Sequence, residues 1–409
     1  MKNRREFIKK GILATSLLGI PYSSHSVPPK KNTSLKTLDD LRNSLLLEKE
    51  LIYFNTGSLG PSPTPVIEAV HQGMLALETN PVKNNWGESG ILLEKVREKA
   101  AAFIHAEKEE VALLRNTTEG MNFIASGMLN LQKGDEILTT NHEHGGGLSG
   151  WNYLQKHLGI TVREAEVPLP FYHKKQAINW VLDNVRENTK VVLLSHINTI
   201  TGDLMPLREI QIALRKINIL LIVDGAQALG MVNIDMKDLG VDAYVSSGHK
   251  WLMASKGTGI MYIRKEAQEI IQPMPLFSNY NSYSASIGTR NISNYLGMGK
   301  AFDIQNEIGK SLIEKGGKEL AQYLLKELKK HPGYWDIISS PDESMRSSII
   351  SINLKKGNQR DLFNKLGERN IIVKVLPKYN ALRFSCHAFL RRNDVDELMR
   401  NLVEIMNNE

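Results

Sequence analysis

Two short runs in this 409-residue sequence end apolar stretches with side chains that can do chemistry. Val223-Asp224-Gly225-Ala226-Gln227-Ala228 closes one with a carboxylate, and Ser246-Ser247-Gly248-His249-Lys250 closes the next with two hydroxyls, an imidazole and an amine. As neighbouring parallel strands, both would open on the same sheet edge, where open sheets bind their ligands. Upstream, Asn116-Thr117-Thr118-Glu119-Gly120 begins a helical pattern that runs from Met121 to Leu131. Free backbone N–H groups and the helix dipole favour a phosphate there, and Thr117 and Thr118 add hydroxyl donors. A lysine able to form a Schiff base, an acid able to keep a pyridinium nitrogen protonated, and a phosphate cradle together describe a site for pyridoxal 5'-phosphate.

These groups need a sheet to hold them. Apolar runs at Glu136 to Leu138, Val191 to Leu194, Ile219 to Val223, Ala243 to Val245 and Gly259 to Ile263 read as short buried strands. Helical patterns such as Leu207 to Ile217 lie between several of them, which predicts an α/β fold with a mainly parallel sheet. A long helical stretch, Ile292 to Lys330 with a break near Gly316-Gly317, leads to a second region. There Ser348 to Leu354, Gln359 to Arg369, Ile371 to Leu376, Ala381 to Ser385 and Asp394 to Met406 read as strand, helix, strand, strand, helix. The expected organisation is a large α/β domain over 51–290, preceded by an arm over 27–50. A smaller C-terminal α/β domain with its connecting helix then covers 291–409.

Composition narrows the function classes. Hydrophobic residues at 42%, charged residues at 23%, 31 Gly and 15 Pro describe a folded globular chain. The formal charge of +7 is concentrated before residue 32, where Lys2, Arg4, Arg5, Lys9, Lys10, Lys30 and Lys31 face one acid, Glu6. The remainder is nearly neutral, so net charge gives no reason to expect a nucleic-acid partner. A single cysteine, Cys386, excludes an intrachain disulfide and a Cys-based zinc cluster. Arg4 and Arg5, followed by Phe7 and the apolar run Gly11 to Ile20, resemble a twin-arginine export signal over 1–26. That run is about half the roughly 20 residues of a membrane span, so no stable membrane insertion is expected. The expected destination is the periplasm or beyond, reached through the twin-arginine machinery.

Three other motifs fail on context. Gly145 to Gly150 satisfies G-x-G-x-x-G, but Asn141-His142-Glu143-His144 separates it from the preceding apolar run, which disfavours a nicotinamide oxidoreductase. Gly309-Lys310-Ser311 lacks the first glycine of a phosphate-binding loop, since position 304 is Ile. His142 and His144 supply two metal ligands, which do not close a site. A protein that kept the fold without the chemistry would have little reason to keep Lys250.

In their order, these residues resemble the class V aminotransferase superfamily of fold-type I pyridoxal phosphate enzymes, from about Leu51 to the C-terminus. The most specific part is Val223-Asp224-Gly225-Ala226-Gln227, then Ser247-Gly248-His249-Lys250 and Gly257-Thr258-Gly259-Ile260. The resemblance implies that Lys250 is the Schiff-base lysine and proton carrier, Asp224 the pyridinium partner and Gln227 a contact of the ring hydroxyl. Ser247, His249, Thr117 and Thr118 would hold the phosphate, and His144 would stack on the ring. The family's Asn near the ring hydroxyl is replaced by Thr199, with Asn198 beside it. Gly288-Thr289-Arg290-Asn291 is similar to a segment that reaches the neighbouring subunit, which implies a homodimer with Thr289 at the partner's phosphate. Arg383, in Leu382-Arg383-Phe384-Ser385, corresponds to the arginine that grips the substrate carboxylate, as its bidentate fork suits.

The run Tyr53-Phe54-Asn55-Thr56-Gly57-Ser58-Leu59-Gly60-Pro61 and the Gly288-Thr289-Arg290 form most resemble the isopenicillin N epimerase-like branch, with Asn55 at the substrate. Cysteine desulfurases carry a nucleophilic Cys in the loop before the arginine, and Val373 to Asn380 has none. The expected reaction starts from an external aldimine of an amino acid and loss of its Cα proton to Lys250. Transamination or epimerisation is the leading expectation, with β-elimination or C–S lysis as the alternative.

Overall fold

The computed structural model describes residues 34–273, 283–284 and 288–408, which form one compact unit. The export-signal motif and its apolar run lie outside the described residues. In chain order the strands are β1 (Ile52–Tyr53), β2 (Val111–Leu114), β3 (Glu136–Thr140), β4 (Thr161–Ala165) and β5 (Thr189–Ser195). There follow β6 (Leu220–Asp224), β7 (Ala243–Ser247), β8 (Gly259–Ile263), β9 (Tyr283–Ser284) and β10 (Gly288–Thr289). The last five are β11 (Trp335–Ile337), β12 (Ile349–Leu354), β13 (Ile371–Ile372), β14 (Lys374–Leu376) and β15 (Ala381–Ser385).

Seven strands form one sheet in the order β2-β8-β7-β6-β5-β3-β4. The run from β7 to β4 is parallel, while β8 is antiparallel to both β2 and β7. Apart from the edge strand β4, which is largely exposed, its strands are buried on both faces, as the unbroken apolar runs require. Within β5, Val192 and Leu194 face one core while Val191 and Leu193 face the other, the two-residue period of a strand. A second sheet, β11-β12-β15-β14, is antiparallel throughout. Leu382 and Phe384 of β15 join the same apolar cluster as Val192 and Leu221 of the first sheet.

Three boundaries differ from the sequence reading for identifiable reasons. The predicted helix Met121 to Leu131 is instead Thr117–Ser126, because the Asn116 side chain accepts from the Glu119 N–H and caps it four residues earlier. It ends at Gly127, where a Cβ would come within 2.5 Å of the Pro273 nitrogen. The predicted strand Ile371 to Leu376 is split at Val373, so that β13 pairs in parallel with β1 while β14 pairs with β15.

The expected break near Gly316-Gly317 is absent. The stretch divides at Gly309, whose φ of 101° separates the helices Ile292–Ile308 and Lys310–Leu328. Gly317 serves packing instead: a Cβ there would stand 2.6 Å from Ser348 Oγ and 3.0 Å from the Cys386 carbonyl. Gly317→Val is therefore expected to destabilise the protein by about 1 to 3 kcal/mol through overpacking, measured as a lower denaturation midpoint with an unchanged urea m-value. An unaltered midpoint would mean the helix can move off β12 at no cost.

Candidate active site

Because β6 and β7 are parallel neighbours, Asp224 and Ser247 end on the same sheet edge, and the turn after Ser247 delivers His249 and Lys250 there. These residues line a cavity of about 620 Å³ that also receives Thr117, Thr118, His144, Thr199, Gln227 and, from the second sheet, Lys374 and Arg383. A larger concavity, about 990 Å³ and lined by Lys315, Lys318, Tyr323 and Arg346, contains none of them.

At one end, Thr117 N–H donates to Ser247 Oγ at 3.0 Å, and the two hydroxyls lie 2.8 Å apart. Thr118, one residue into the same helix, is exposed to the cavity. His249 Nδ1 is buried without a hydrogen-bond partner among the described residues, and burial first, then Lys250 and Lys256, lowers its pKa to about 4. A neutral imidazole beside a helix N-terminus is suited to an anionic ligand oxygen.

In the middle, Asp224 accepts from the Ala226 N–H at 2.8 Å. Burial raises its pKa, opposed by that bond and by Lys250 and His144. Burial also lowers Lys250 to about 8; Asp224 opposes this, while Arg383 and Lys374 add to it. About a tenth of the amine is thus neutral and nucleophilic at pH 7, far more than for an exposed lysine. His144 caps the helix Gly145–Leu158 by accepting the Gly146 N–H on Nδ1, which puts its remaining proton on Nε2. Gly147 keeps this helix close to the acid, since a Cβ there would lie 3.0 Å from Asp224 Oδ2. The glycine run set aside as a dinucleotide motif thus brings the helix up to the carboxylate.

At the far end, Arg383 is buried yet has no carboxylate partner among the described residues. Its NH1 donates to the Thr199 carbonyl and hydroxyl at 3.1 and 2.7 Å, its NH2 to Ser58 Oγ at 3.2 Å, and its Nε to nothing. Burial lowers its pKa to about 10. Gln227 is pinned by the Trp251 indole N–H, the Gly57 carbonyl and Thr199 Oγ1. Of the two candidates at the loop after β5, Asn198 spends its amide on Ile200, Thr201 and His142, whereas Thr199 lines the cavity.

Two expected site residues are not brought together with the rest. Asn55 is outside the cavity lining, and its buried Oδ1 has no partner. Thr289 lies exposed on β10, lining a separate depression of about 430 Å³ with Arg290 and Tyr295. Four other residues of the cavity were not singled out from the sequence as its site. Ser58 hydrogen-bonds Arg383, Lys374 and Lys378 line the wall, and Glu143 is a second carboxyl. Glu143 accepts from Ser195 N–H and Oγ and from Thr140 Oγ1. Burial raises its pKa to about 7, with nearby Asp224 adding to the effect.

The aminotransferase class-V family matches residues 52–398. A probable cysteine desulfurase of Methanothermobacter thermautotrophicus is 27% identical over 346 residues, spanning 81% of this chain and 84% of that protein. The isopenicillin N epimerase of Amycolatopsis lactamdurans is 26% identical over 389 residues, spanning 89% and 97%. Among solved structures, the complex of the cystine C-S lyase C-DES with its product cysteine persulfide superposes with a TM-score of 0.79 at 23% identity, covering 87% of this chain and 98% of that one. The apo cysteine desulfurase of Thermococcus onnurineus gives 0.79 at 22%, covering 92% and 100%. The chain belongs to the class V aminotransferase family and has the fold-type I architecture, and its cofactor is pyridoxal phosphate. The cavity fits that group: an amine, a carboxylate, an imidazole and a helix N-terminus converge on one space, and a buried histidine nitrogen there has no protein partner.

Glu143 makes a pH test possible. The folded protein holds its proton up to about pH 7, whereas an exposed glutamate releases it near 4.5. This contribution is therefore complete below about 4.5 and is lost as pH rises through 7. Relative to Glu143→Gln, the parent protein should lose about 1 to 3 kcal/mol of unfolding free energy between pH 5 and pH 8. Denaturant titrations of both proteins at the two pH values measure it, and a constant difference would mean Glu143 is ionised throughout.

Proposed function

We propose that the protein cleaves a Cβ–S bond in an amino-acid substrate by pyridoxal phosphate-dependent β-elimination. The observation that carries this is a cavity that combines the amine Lys250 and the uncompensated Arg383 with no thiol. Cys386 is fully buried, outside the cavity lining, and its pKa is pushed well up by burial. A sulfur-transferring attack by a protein thiolate has no nucleophile here among the described residues, which favours elimination as the route of C–S cleavage. Several relatives named as cysteine desulfurases, together with the cystine lyase among the fold neighbours, favour sulfur chemistry over the amino-group transfer or epimerisation anticipated from the sequence.

Pyridoxal phosphate supplies an electrophilic aldehyde and an electron-withdrawing ring that acidifies the Cα–H bond of an attached amino acid. Thr118, Ser247 and His249 would bind its phosphate, Asp224 would hold the proton on its ring nitrogen, and His144 would lie against its ring. Lys250, with its pKa near 8, would anchor the aldehyde and then take the proton from Cα. Arg383 would hold the α-carboxylate with its free N–H groups, which relieves a buried, uncompensated charge. The homodimer, with Thr289 contributing to the partner's site, and twin-arginine export belong to the same proposal.

Borohydride reduction followed by peptide mapping should label Lys250 and no other lysine. With sulfur-containing amino acids, elimination should yield pyruvate, ammonia and a released sulfur species. A keto acid that keeps its side chain, or a racemised amino acid, would instead identify transamination or epimerisation. Arg383→Lys should lower kcat/KM by about ten- to a hundredfold without disturbing the visible spectrum, because the charge stays but the fork is lost. Replacing Arg4 and Arg5 by Lys should retain the protein in the cytoplasm, read by cell fractionation; normal export of that variant would rule out the twin-arginine route.

A further inference from the structure

The second-sheet wall of the cavity holds more positive charge than one amino-acid carboxylate needs. Lys374 on β14 is the direct cross-strand partner of Arg383 on β15, and both line the cavity. Like charges placed directly opposite each other on one face destabilise a sheet unless something negative lies between them. Nothing does: neither residue pairs with a carboxylate among the described residues. Their charges reach inward, since both depress the pKa values of Lys250 and His144. The next turn adds Lys378, which lines the same cavity, lies over the Tyr379 ring and donates only to the Asn141 carbonyl at 3.5 Å.

Two neutral groups beside these cations are also donors without acceptors. His142 is buried, and its Nδ1 faces the Asn198 amide nitrogen at 3.1 Å, so Nδ1 accepts and the proton sits on Nε2. Among the described residues, that Nε2 has no partner, and neither does the buried Tyr379 hydroxyl, whose ring meets His142 edge to face at 5.5 Å. Among the described residues, the carboxyl groups in the cavity lining are Glu143 and Asp224. Glu143 is occupied by Ser195 and Thr140, and Asp224 by Ala226. The Lys374 and Lys378 ammonium groups, the His142 and Tyr379 donors and the free N–H groups of Arg383 exceed the four or so lone-pair sites of one carboxylate. The phosphate would lie elsewhere, at the Thr117–Ser126 helix and Ser247, on the first sheet.

We infer that Lys374 and Lys378, with His142 and Tyr379, form a subsite for a second anionic group on the substrate side chain, so that the substrate is a sulfur-bearing amino acid whose side chain ends in a carboxylate or similar oxyanion. This rests on the amino-acid reading of the cavity and specifies its substrate class. Lys374 is the selecting residue: beside Arg383, it favours a second negative charge about one side chain away from the α-carboxylate.

The test uses the holoprotein and ligands that differ by one charge. Calorimetry should find succinate binding about tenfold or more tightly than butyrate. Lys374→Gln should bring that ratio close to one by weakening succinate, while Lys374→Arg should retain most of it. In parallel, L-aspartate and L-cysteine sulfinate should perturb the cofactor's visible spectrum at concentrations about tenfold lower than L-asparagine and L-cysteine. Equal response to the charged and neutral members of each pair would overturn the second-anion subsite and leave the amino-acid reading intact. A preference for succinate that survives Lys374→Gln would remove Lys374 from it. If no amino acid of either kind changes the spectrum while succinate is still selected, the amino-acid reading fails and the anion site stands.

Discussion

Arg383 ties together three parts of the chain that are distant in sequence. It stands on β15 in the second sheet, donates to Thr199 in the loop after β5 of the first, and donates to Ser58 in the N-terminal loop. All of those acceptors are neutral, so a buried cation is held in place without being compensated. Removing a guanidinium from water costs several kcal/mol when no counter-ion accompanies it. The apolar contact between the sheets, through residues such as Leu382 and Phe384, must carry that cost in the free protein. A ligand carboxylate recovers part of it, which is why the strongest affinity should fall where the two sheets meet.

The same desolvation acts on every titratable group around the cavity, in a direction set by charge type. It lowers the bases Lys250 and His249 and raises the acids Asp224 and Glu143. The amine therefore becomes reactive near neutral pH, and Glu143 titrates near pH 7 instead of adding a fixed second negative charge beside Asp224. The backbone sets the finer details: the Gly146 N–H fixes the tautomer of His144, and the Ala226 N–H orients Asp224.

The first sheet and the convergence of Asp224 and Lys250 on its edge were legible because they depend on local patterns. Asp224 and Lys250 each follow a short apolar run that reads as a buried strand, and parallel pairing puts such ends together. The fold class followed from the alternation of those runs with helices. What escaped the sequence depends on pairing between distant segments. Nothing in the spacing of Lys374 and Arg383 announces that they are cross-strand partners, and Ile371 to Leu376 reads as one strand until β1 claims its first half. Glu143 drew attention only as the neighbour of His144, since its importance comes from Ser195 and Thr140. Gly316 and Gly317 looked like a helix break because glycine composition does not distinguish a turn from a close approach; only the neighbouring Ser348 and Cys386 do.

The short parallel pair β1 and β13 has a consequence for how the protein is made. Phe54 receives a backbone bond through its carbonyl from Ser385, and its own N–H donates to Ile372, so the loop carrying Ser58 is fixed by residues near the other end of the chain. Pairing over such a separation must wait for a large loop to close and forms late in folding. On the ribosome, the first sheet can assemble while β15 is still being synthesised, but the wall that contains Arg383 and the loop opposite it cannot. Capture of the cofactor in a closed site is thereby tied to the synthesis of β15: a nascent chain that ends before it would present the lysine but not the enclosure that retains what it binds.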